Sequence, residues 1–564
     1  MLEIGVAKTD ITVYEPRLGM MGWGMLHNVV ESVATPLHAR AFVLVQPDGD
    51  RRLVMVCCEL AFITLALRER VHERLAQVLP EARLGLPELM LMATHTHSGP
   101  GGFTHYPFYN VTIPGFSAKV LEGLAEGIVE AIARAWRSRV PGTAGYVEGD
   151  FDPEVPVAWN RSIEAYNLNP EVVPVTEQER AVALDRTMRM LRFCTADGSP
   201  LGSINWFAVH GTSVHSDNTA LHFDNKGYAA QAVERAMARR GHEGYVAAFA
   251  QGATGDATPN DRRHPGRPFM RGRYPDDDES ARFNGELQAD KAMELLDADP
   301  GPPLAPELAT AHAFEDFSRI DVEPRFVGGR SGVHTGPAEI GMAMFFGTEE
   351  GPGLPRSLRS LQGHVQAARA RWRRLVPRER WAEHEATQGE KVPWVESGRR
   401  RMLGIRRIRR LPLPWRLHPA LRLVRALDED SPDAKPWTPP ILPVQVATIG
   451  NVAIAAAPAE ITTVAGRRLR ATVEGALASR NVTHTILAGY ANAYSGYVTT
   501  PEEYTLQDYE GASTHFGKWT LPGYQTVFER VANTLVDPTA ALPRHPLEPP
   551  RFSDHELERR SFPA

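Results

Sequence analysis

Cysteine is scarce in this chain: three residues among 564, two of them adjacent as Cys57 and Cys58 inside an apolar run. That is too few for a disulfide framework and lacks zinc-knuckle spacing, so buried structural thiols are expected. Long hydrophobic runs are also missing. Stretches such as Val452 to Ala459 fall far short of the roughly 18 to 20 residues that a membrane-crossing helix needs. The opening residues Met1 to Asp10 show no basic segment followed by an apolar block. No secretory signal is therefore expected, and the chain reads as cytoplasmic or peripherally membrane-associated. No repeat of fixed period occurs, and 43% hydrophobic with 23% charged residues excludes a disordered chain, a collagen-like repeat or a simple coiled coil.

What is present is a succession of β-branched-rich runs of strand length that end in small or polar residues, most followed by a helical pattern. Leu53 to Leu60 leads into Thr64 to Leu79, and Leu89 to Ala93 stops at His95-Thr96-His97-Ser98-Gly99-Pro100-Gly101-Gly102. Ser117 is placed to cap a helix whose Val120, Leu121, Leu124, Ile128 and Ile132 form one stripe. Ile204 to Val209 stops at His210, Tyr245 to Ala250 runs into Gln251 to Asn260, and Val452 to Ala457 stops at Pro458-Ala459-Glu460 before a helix from about Thr462 to Ala478. Thr485 to Leu487 precedes a loop running from Gly489 to Tyr497. This alternation predicts an α/β fold: a single large layered domain of mixed β-sheet and helices, with the active site on loops at strand ends. That domain is expected over residues 1–545, with 546–564 as a tail.

Charge is unevenly spread. Between Arg356 and Arg425 there are 19 Lys and Arg against 5 Glu, whereas the rest of the chain carries 43 bases and 63 acids. The stretch from about 351 to 436 therefore reads as a basic, partly helical insertion, with Arg369, Arg371, Arg373 and Arg374 around Trp372 and a later run from Arg399 to Arg410. A solvated helical face, an anionic-lipid contact and a nucleic-acid patch all fit the composition. Apolar interleaving and Pro412, Pro414 and Pro419 favour a lid or membrane-surface element, so contact with anionic membrane over 356–425 is expected and nucleic acid is not.

His95 and His97 are the sharpest local feature. On extended backbone, residues i and i+2 face the same way, so two imidazoles can meet one cation, or one can bind it while the other handles protons. His210 stands in a second loop of the same kind. His215 and His222 nearby fall in a polar loop and read as exposed or structural. Glu460 ends an apolar run, where a carboxylate is costly to bury unless paired or metal-bound, although favouring a helix N-terminus is an equal reading. Imidazoles plus a carboxylate, with a position left for water, compose a catalytic rather than a closed zinc site.

Taken in order, His95 to Gly102, Trp206 to Ser213, Asp224 to Ala229, Gly255 to Asn260, Pro458-Ala459-Glu460 with Ala465 to Arg470, and Tyr497 to Tyr504 resemble the signature blocks of the neutral/alkaline non-lysosomal ceramidases. Even Gly5 to Thr12 resembles the start of that catalytic domain. The resemblance implies a zinc-dependent amidohydrolase, one Zn2+ per chain, cleaving the N-acyl bond of ceramide or a ceramide-like lipid to a sphingoid base and a fatty acid. It implies His95, His210, Glu460 and Tyr497 as the metal ligands, with His97, Arg161 and Tyr509 around the scissile amide. His97 would shuttle a proton, and Arg161 and Tyr509 would donate to the developing oxyanion. Without the resemblance, Arg161 reads as a surface charge.

Two departures from the family pattern are visible. Thr258 stands where the family carries a serine, and its stiff β-methyl favours attack by water over attack by the side chain. The family's usual C-terminal immunoglobulin-like domain has no counterpart in the roughly 45 residues after Trp519. Two rival readings stand beside the ceramidase one: a related zinc amidase for smaller N-acyl amides, and a non-catalytic lipid-binding protein on the same scaffold.

Overall fold

Strand periodicity decides the layers of this protein. In β2 (His38–Val45), which follows β1 (Leu2–Asp10), Ala39, Ala41, Val43 and Val45 face one core while Phe42 and Leu44 face another. The computed structural model describes residues 1–299, 301–351, 353, 377–402, 434–537, 539 and 547–562. Among them, β3 (Arg52–Cys58), β4 (Leu89–Ala93), β5 (Val140–Asp150), β6 (Thr187–Thr195), β7 (Pro200–Phe207) and β8 (Val246–Gln251) join the first two strands in an eight-stranded sheet. Its order is β8-β7-β6-β5-β1-β2-β3-β4, antiparallel except for the parallel pairs β3–β4 and β7–β8. A four-stranded sheet holds β9 (Leu308–Asp316), β10 (Ile441–Ile449), β11 (Val452–Ala456) and β12 (His484–Ala488) in that order, with β11 and β12 parallel.

The two sheets share one core. Phe42, Leu44, Met55, Met90 and Ile204 of the large sheet pack with Ile449, Ile454 and Ile486 of the small one. Helices cover the outer faces: α1 (Leu65–Val78) and α2 (Ala118–Arg137) on one half of the large sheet, α3 (Asp224–Arg239) and α4 (Asp277–Asp297) on the other, and α5 (Thr463–Leu477) with α6 (Thr520–Val536) on the small sheet. The result is a layered α/β fold of the expected class, with sheets sandwiched between helices. Each fully buried Val, Leu or Ile in these cores contributes about 1.5–3 kcal/mol relative to exposure.

Local signals acted as expected. Thr64 Oγ1 accepts from Leu67 N at 3.1 Å and starts α1, and Ser117 Oγ accepts from Val120 N at 3.3 Å and starts α2. Cys57 and Cys58 are buried on opposite faces of β3. Among the described residues no helix is long and apolar enough to cross a membrane. Of the basic stretch, a helix (Arg378–Thr387) and short strands (Pro393–Glu396 and Arg401–Met402) are described. Arg369, Arg371, Trp372, Arg373, Arg374, most of the Arg399-to-Arg410 run, and Pro412, Pro414 and Pro419 lie outside the described residues.

Candidate metal centre

Two strand ends deliver the imidazoles. His95 and His97 follow β4, while His210 follows β7, and their ring nitrogens gather within 4.8 Å of one another in the buried interior. The expectation of extended backbone at His95 is corrected: its φ is +69°. At the end of β4 the chain turns sharply, and His95 N donates to Leu60 O at 2.9 Å rather than continuing the ladder. The two rings still meet, with His97 Nε2 3.0 Å from His95 Nε2. Gly211 makes this convergence feasible, because a Cβ there would lie 2.3 Å from His95 O.

Glu460 arrives from the end of β11. It sits in a two-residue strand (Glu460–Ile461) that pairs in parallel with Tyr497–Val498, so Glu460 and Tyr497 lie side by side. Its Oε2 is 3.2 Å from His210 Nε2 and 3.6 Å from His95 Nε2. The hydroxyls of Tyr494 and Tyr490 donate to its two oxygens. The helix-terminus reading of Glu460 fails, since Asp256, not Glu460, accepts from Thr463 N at the start of α5.

The protonation pattern around these groups fits a cation. His95 Nδ1 lies 2.6 Å from Ala61 O and His210 Nδ1 lies 2.7 Å from Ala257 O. A carbonyl only accepts, so both Nδ1 atoms donate, and both Nε2 atoms lie inward on the side of Glu460. Among the described residues His210 Nε2 has no hydrogen-bond partner, although Glu460 Oε2 is 3.2 Å away. A shared cation would give both atoms a partner, and carbonyls that orient the distal nitrogen are the usual supports of ligating histidines. Burial pushes the His95 imidazole down to about 3, against the pull of Glu460, and depresses His97 strongly as well. Both rings are thus neutral, the form that binds metal. The group could hold a metal ion.

Arg161 is no surface charge. It is buried, with Nε paired to Glu510 at 2.9 Å, Nη1 to Glu350 at 2.5 Å, and Nη2 donating to Gly255 O at 2.9 Å and to the Tyr497 hydroxyl at 3.0 Å. Among the described residues four of its five N–H groups are taken, leaving one for a ligand. The Tyr509 ring stands edge-on to Tyr497, centroids 5.5 Å apart at 83°, with the Arg161 guanidinium 5.6 Å from its centre. Burial raises the phenol pKa of both tyrosines, with Glu460 adding to the effect, while Arg161 opposes it.

Thr258 is buried beside this cluster and donates to Glu350, while its own oxygen accepts from Asn260 N at 2.9 Å. Glu350, which sequence reasoning missed, also accepts from Asn260 Nδ2 at 2.7 Å and from Thr212 Oγ1 at 3.2 Å. Burial alone would raise its pKa, but Arg161 and these donors hold it below its ordinary value. Nothing in the Gly347-to-Gly351 stretch marks such a role; only the fold brings it to Arg161. His215 and His222 are buried rather than exposed. His215 Nε2 donates to Glu350 O at 2.5 Å, and His222 pairs with Asp278 at 2.9 Å.

The cluster opens onto a cavity of about 470 Å³ whose wall is mainly apolar, including Trp23, Phe62, Phe108, Tyr109, Met344 and Trp437. His95, His97, His210, Glu460, Tyr497, Arg161 and Tyr509 all border it, whereas Glu350 rather than Thr258 forms the wall on that side.

Residues 2–402 and 424–526 match the family model of the neutral/alkaline non-lysosomal ceramidases, N-terminal region. The chain is 34% identical over 532 residues to a neutral ceramidase of Pseudomonas aeruginosa, covering 94% of this chain and 72% of that one. It is 30% identical over 549 residues to a neutral ceramidase of Mycobacterium tuberculosis, covering 95% and 77%. A crystal structure of the Pseudomonas aeruginosa neutral ceramidase superposes with a TM-score of 0.78 at 32% identity, over 98% of this chain and 76% of that one. A ceramidase complexed with C2 gives 0.79, also at 32% identity, over 97% and 77%. These relatives make the chain a hydrolase, and it carries a buried, metal-capable histidine cluster beside a mainly apolar cavity. The chain belongs to the neutral/alkaline non-lysosomal ceramidase family.

Proposed function

We propose that this chain is a zinc-dependent amidohydrolase that cleaves the N-acyl bond of ceramide or a ceramide-like lipid. The observation that carries the reading is the convergence of the inward Nε2 atoms of His95 and His210 on the Glu460 carboxylate at the inner end of a mainly apolar cavity. His95, His210, Glu460 and Tyr497 would hold the ion. When bound, zinc supplies a Lewis acid and brings the pKa of water toward about 7.

The protein's own groups supply the remainder. Tyr490 and Tyr494 fix both Glu460 oxygens, which keeps the carboxylate in one orientation. Arg161 places positive charge 3.0 Å from the Tyr497 oxygen and so favours its anionic form. The free N–H of Arg161 and the Tyr509 hydroxyl are the donors for a carbonyl oxygen gaining charge. His97 is neutral, its Nδ1 has no hydrogen-bond partner among the described residues, and Trp23 packs edge-on to its ring at 5.1 Å, which suits it to carry a proton to the departing amine. Thr258 orients Glu350 and thereby Arg161, so it acts by positioning. The apolar wall excludes water and takes the alkyl chains. A contact of the 356–425 segment with anionic membrane follows from its charge alone.

The test is amine release from ceramide and from short N-acyl amides by protein whose metal content has been determined. Release of long-chain base by zinc-loaded protein is the expected result. Preference for short amides would move the substrate to the smaller class, and full activity in metal-free protein would end the reading.

A further inference from the structure

Residues 547–562 lie outside one cavity wall and grip it, although none of them lines the cavity itself. The wall segment runs from Tyr106 to Phe116 and supplies Phe108, Tyr109, Val111 and Thr112. At its start, the Phe552 ring packs edge-on to that of Tyr106, centroids 5.1 Å apart at 79°. At its end, Phe116 N donates to Arg560 O at 2.8 Å and Phe562 N donates to Phe116 O at 2.7 Å. Gly115 permits that approach, since a Cβ there would lie 2.7 Å from Phe562 N. A further grip falls on the neighbouring wall segment. Lys435 Nζ donates to both carboxylate oxygens of Glu556, at 2.9 and 2.7 Å, while standing 5.1 Å from the centre of the Phe552 ring.

We propose that the 547–562 segment is a positioning clamp that sets the width of the cavity for a long alkyl chain, acting through Phe552 and Glu556. The inference rests on the amide-lipid reading above. Trp437, two residues after Lys435, lines the cavity, and its carbonyl accepts from Phe108 N at 3.1 Å. Two aromatic walls are thus joined by a backbone hydrogen bond, and the clamp holds one through Phe552 and the other through Glu556. The first wall carries only a short 3₁₀ turn (Pro107–Asn110), an element that is not stable by itself, so what packs on it fixes its position. The Lys435–Glu556 pair is 19% and 16% exposed, which limits its screening by solvent. An alkyl chain senses the width directly, because a wall ring displaced by the size of a methylene forfeits dispersion contacts along the chain. The imidazoles and Glu460 stand on other strand ends, so the clamp acts on affinity for long chains and leaves the chemistry alone.

N-ethylpalmitamide and N-ethylbutanamide, which share the amide and differ in chain length, decide it. Equilibrium dialysis of the radiolabelled amides against the full chain gives Kd, amine release gives kcat and KM, and metal analysis gives zinc content. In Glu556→Lys and in Lys435→Glu, Kd and KM for N-ethylpalmitamide should rise about 10-fold, the scale of one methylene of lost contact in an apolar pocket. Values for N-ethylbutanamide, kcat and zinc content should stay as in wild type. Combining both substitutions rebuilds the pair in reverse order and should return the palmitamide values toward wild type. Should a single variant fail to fold, Glu556→Gln, which keeps the shape of the side chain, gives the same readout with a smaller rise. An unchanged palmitamide Kd, equal changes for both chain lengths, or no recovery in the exchanged pair overturns the proposal, as does wild-type protein that binds both amides alike. If no amide is hydrolysed, the amidohydrolase reading falls, while dialysis still decides this one.

Discussion

Arg161 Nη2 donates to the Tyr497 hydroxyl across 3.0 Å, and Nη1 of the same guanidinium is paired with Glu350. One buried cation thus ties a phenol beside Glu460 to a carboxylate that holds Thr258, linking the candidate ion site to the wall behind it.

Removing an imidazole should empty the site. His210→Ala is expected to lower bound zinc from one per chain to near zero and amine release by about 1000-fold, the scale of losing several kcal/mol of charge stabilisation. Metal analysis and steady-state rates on the same preparation check this. Chelation of wild type should reproduce the loss, and added zinc should reverse it.

Glu350→Ala leaves Arg161 with one buried carboxylate partner instead of two and strips Thr258, Asn260 and Thr212 of an acceptor. Breaking a buried pair costs about 3–5 kcal/mol. Urea titration should show that loss, with a larger fall in kcat than rise in KM if Arg161 acts on the developing charge. Wild-type stability in the variant would remove Glu350 from the network.

Thr258 offers a cleaner division of roles. Thr258→Ser keeps the hydroxyl for Glu350 and should retain most activity. Thr258→Val should cost about 1–3 kcal/mol of stability, because Asn260 N and Glu350 lose a buried partner. A measurable rate should nevertheless remain, whereas abolished turnover in a folded Val variant would make the side chain the nucleophile.

Stability should depend on pH through Lys226. Burial among Phe207, Gln288 and the α3–α4 packing lowers its pKa from 10.5 to about 7. Between these values the unfolded chain binds the extra proton, so unfolding free energy rises with pH above about 7, by up to about 1.4 kcal/mol per pH unit from this group. Below about 7 that slope disappears. Lys226→Met should flatten the wild-type curve between pH 7 and 9 when both are followed by denaturant midpoints; parallel curves would refute the assignment.

Much of the architecture was legible along the chain because its signals are local. The apolar run from Leu53 to Leu60, the cap at Ser117 and the stripe from Val120 to Ile132 depend on neighbours within a turn or a strand. The strand-end positions of His95, His210 and Glu460 were readable for the same reason, and the neighbouring family motifs named the set. Other features were set by tertiary packing. The left-handed turn at His95 arises from Leu60 and Ala61, residues more than 30 positions away. Glu350 acquires its role through Arg161, 189 positions earlier. Sequence alone fixed which side chains could carry this chemistry, since residue type sets donor, acceptor and charge. Which of them share a proton or a cation, and which wall faces the cavity, was decided by the fold, because those properties depend on distances of a few ångströms between segments brought together only by packing.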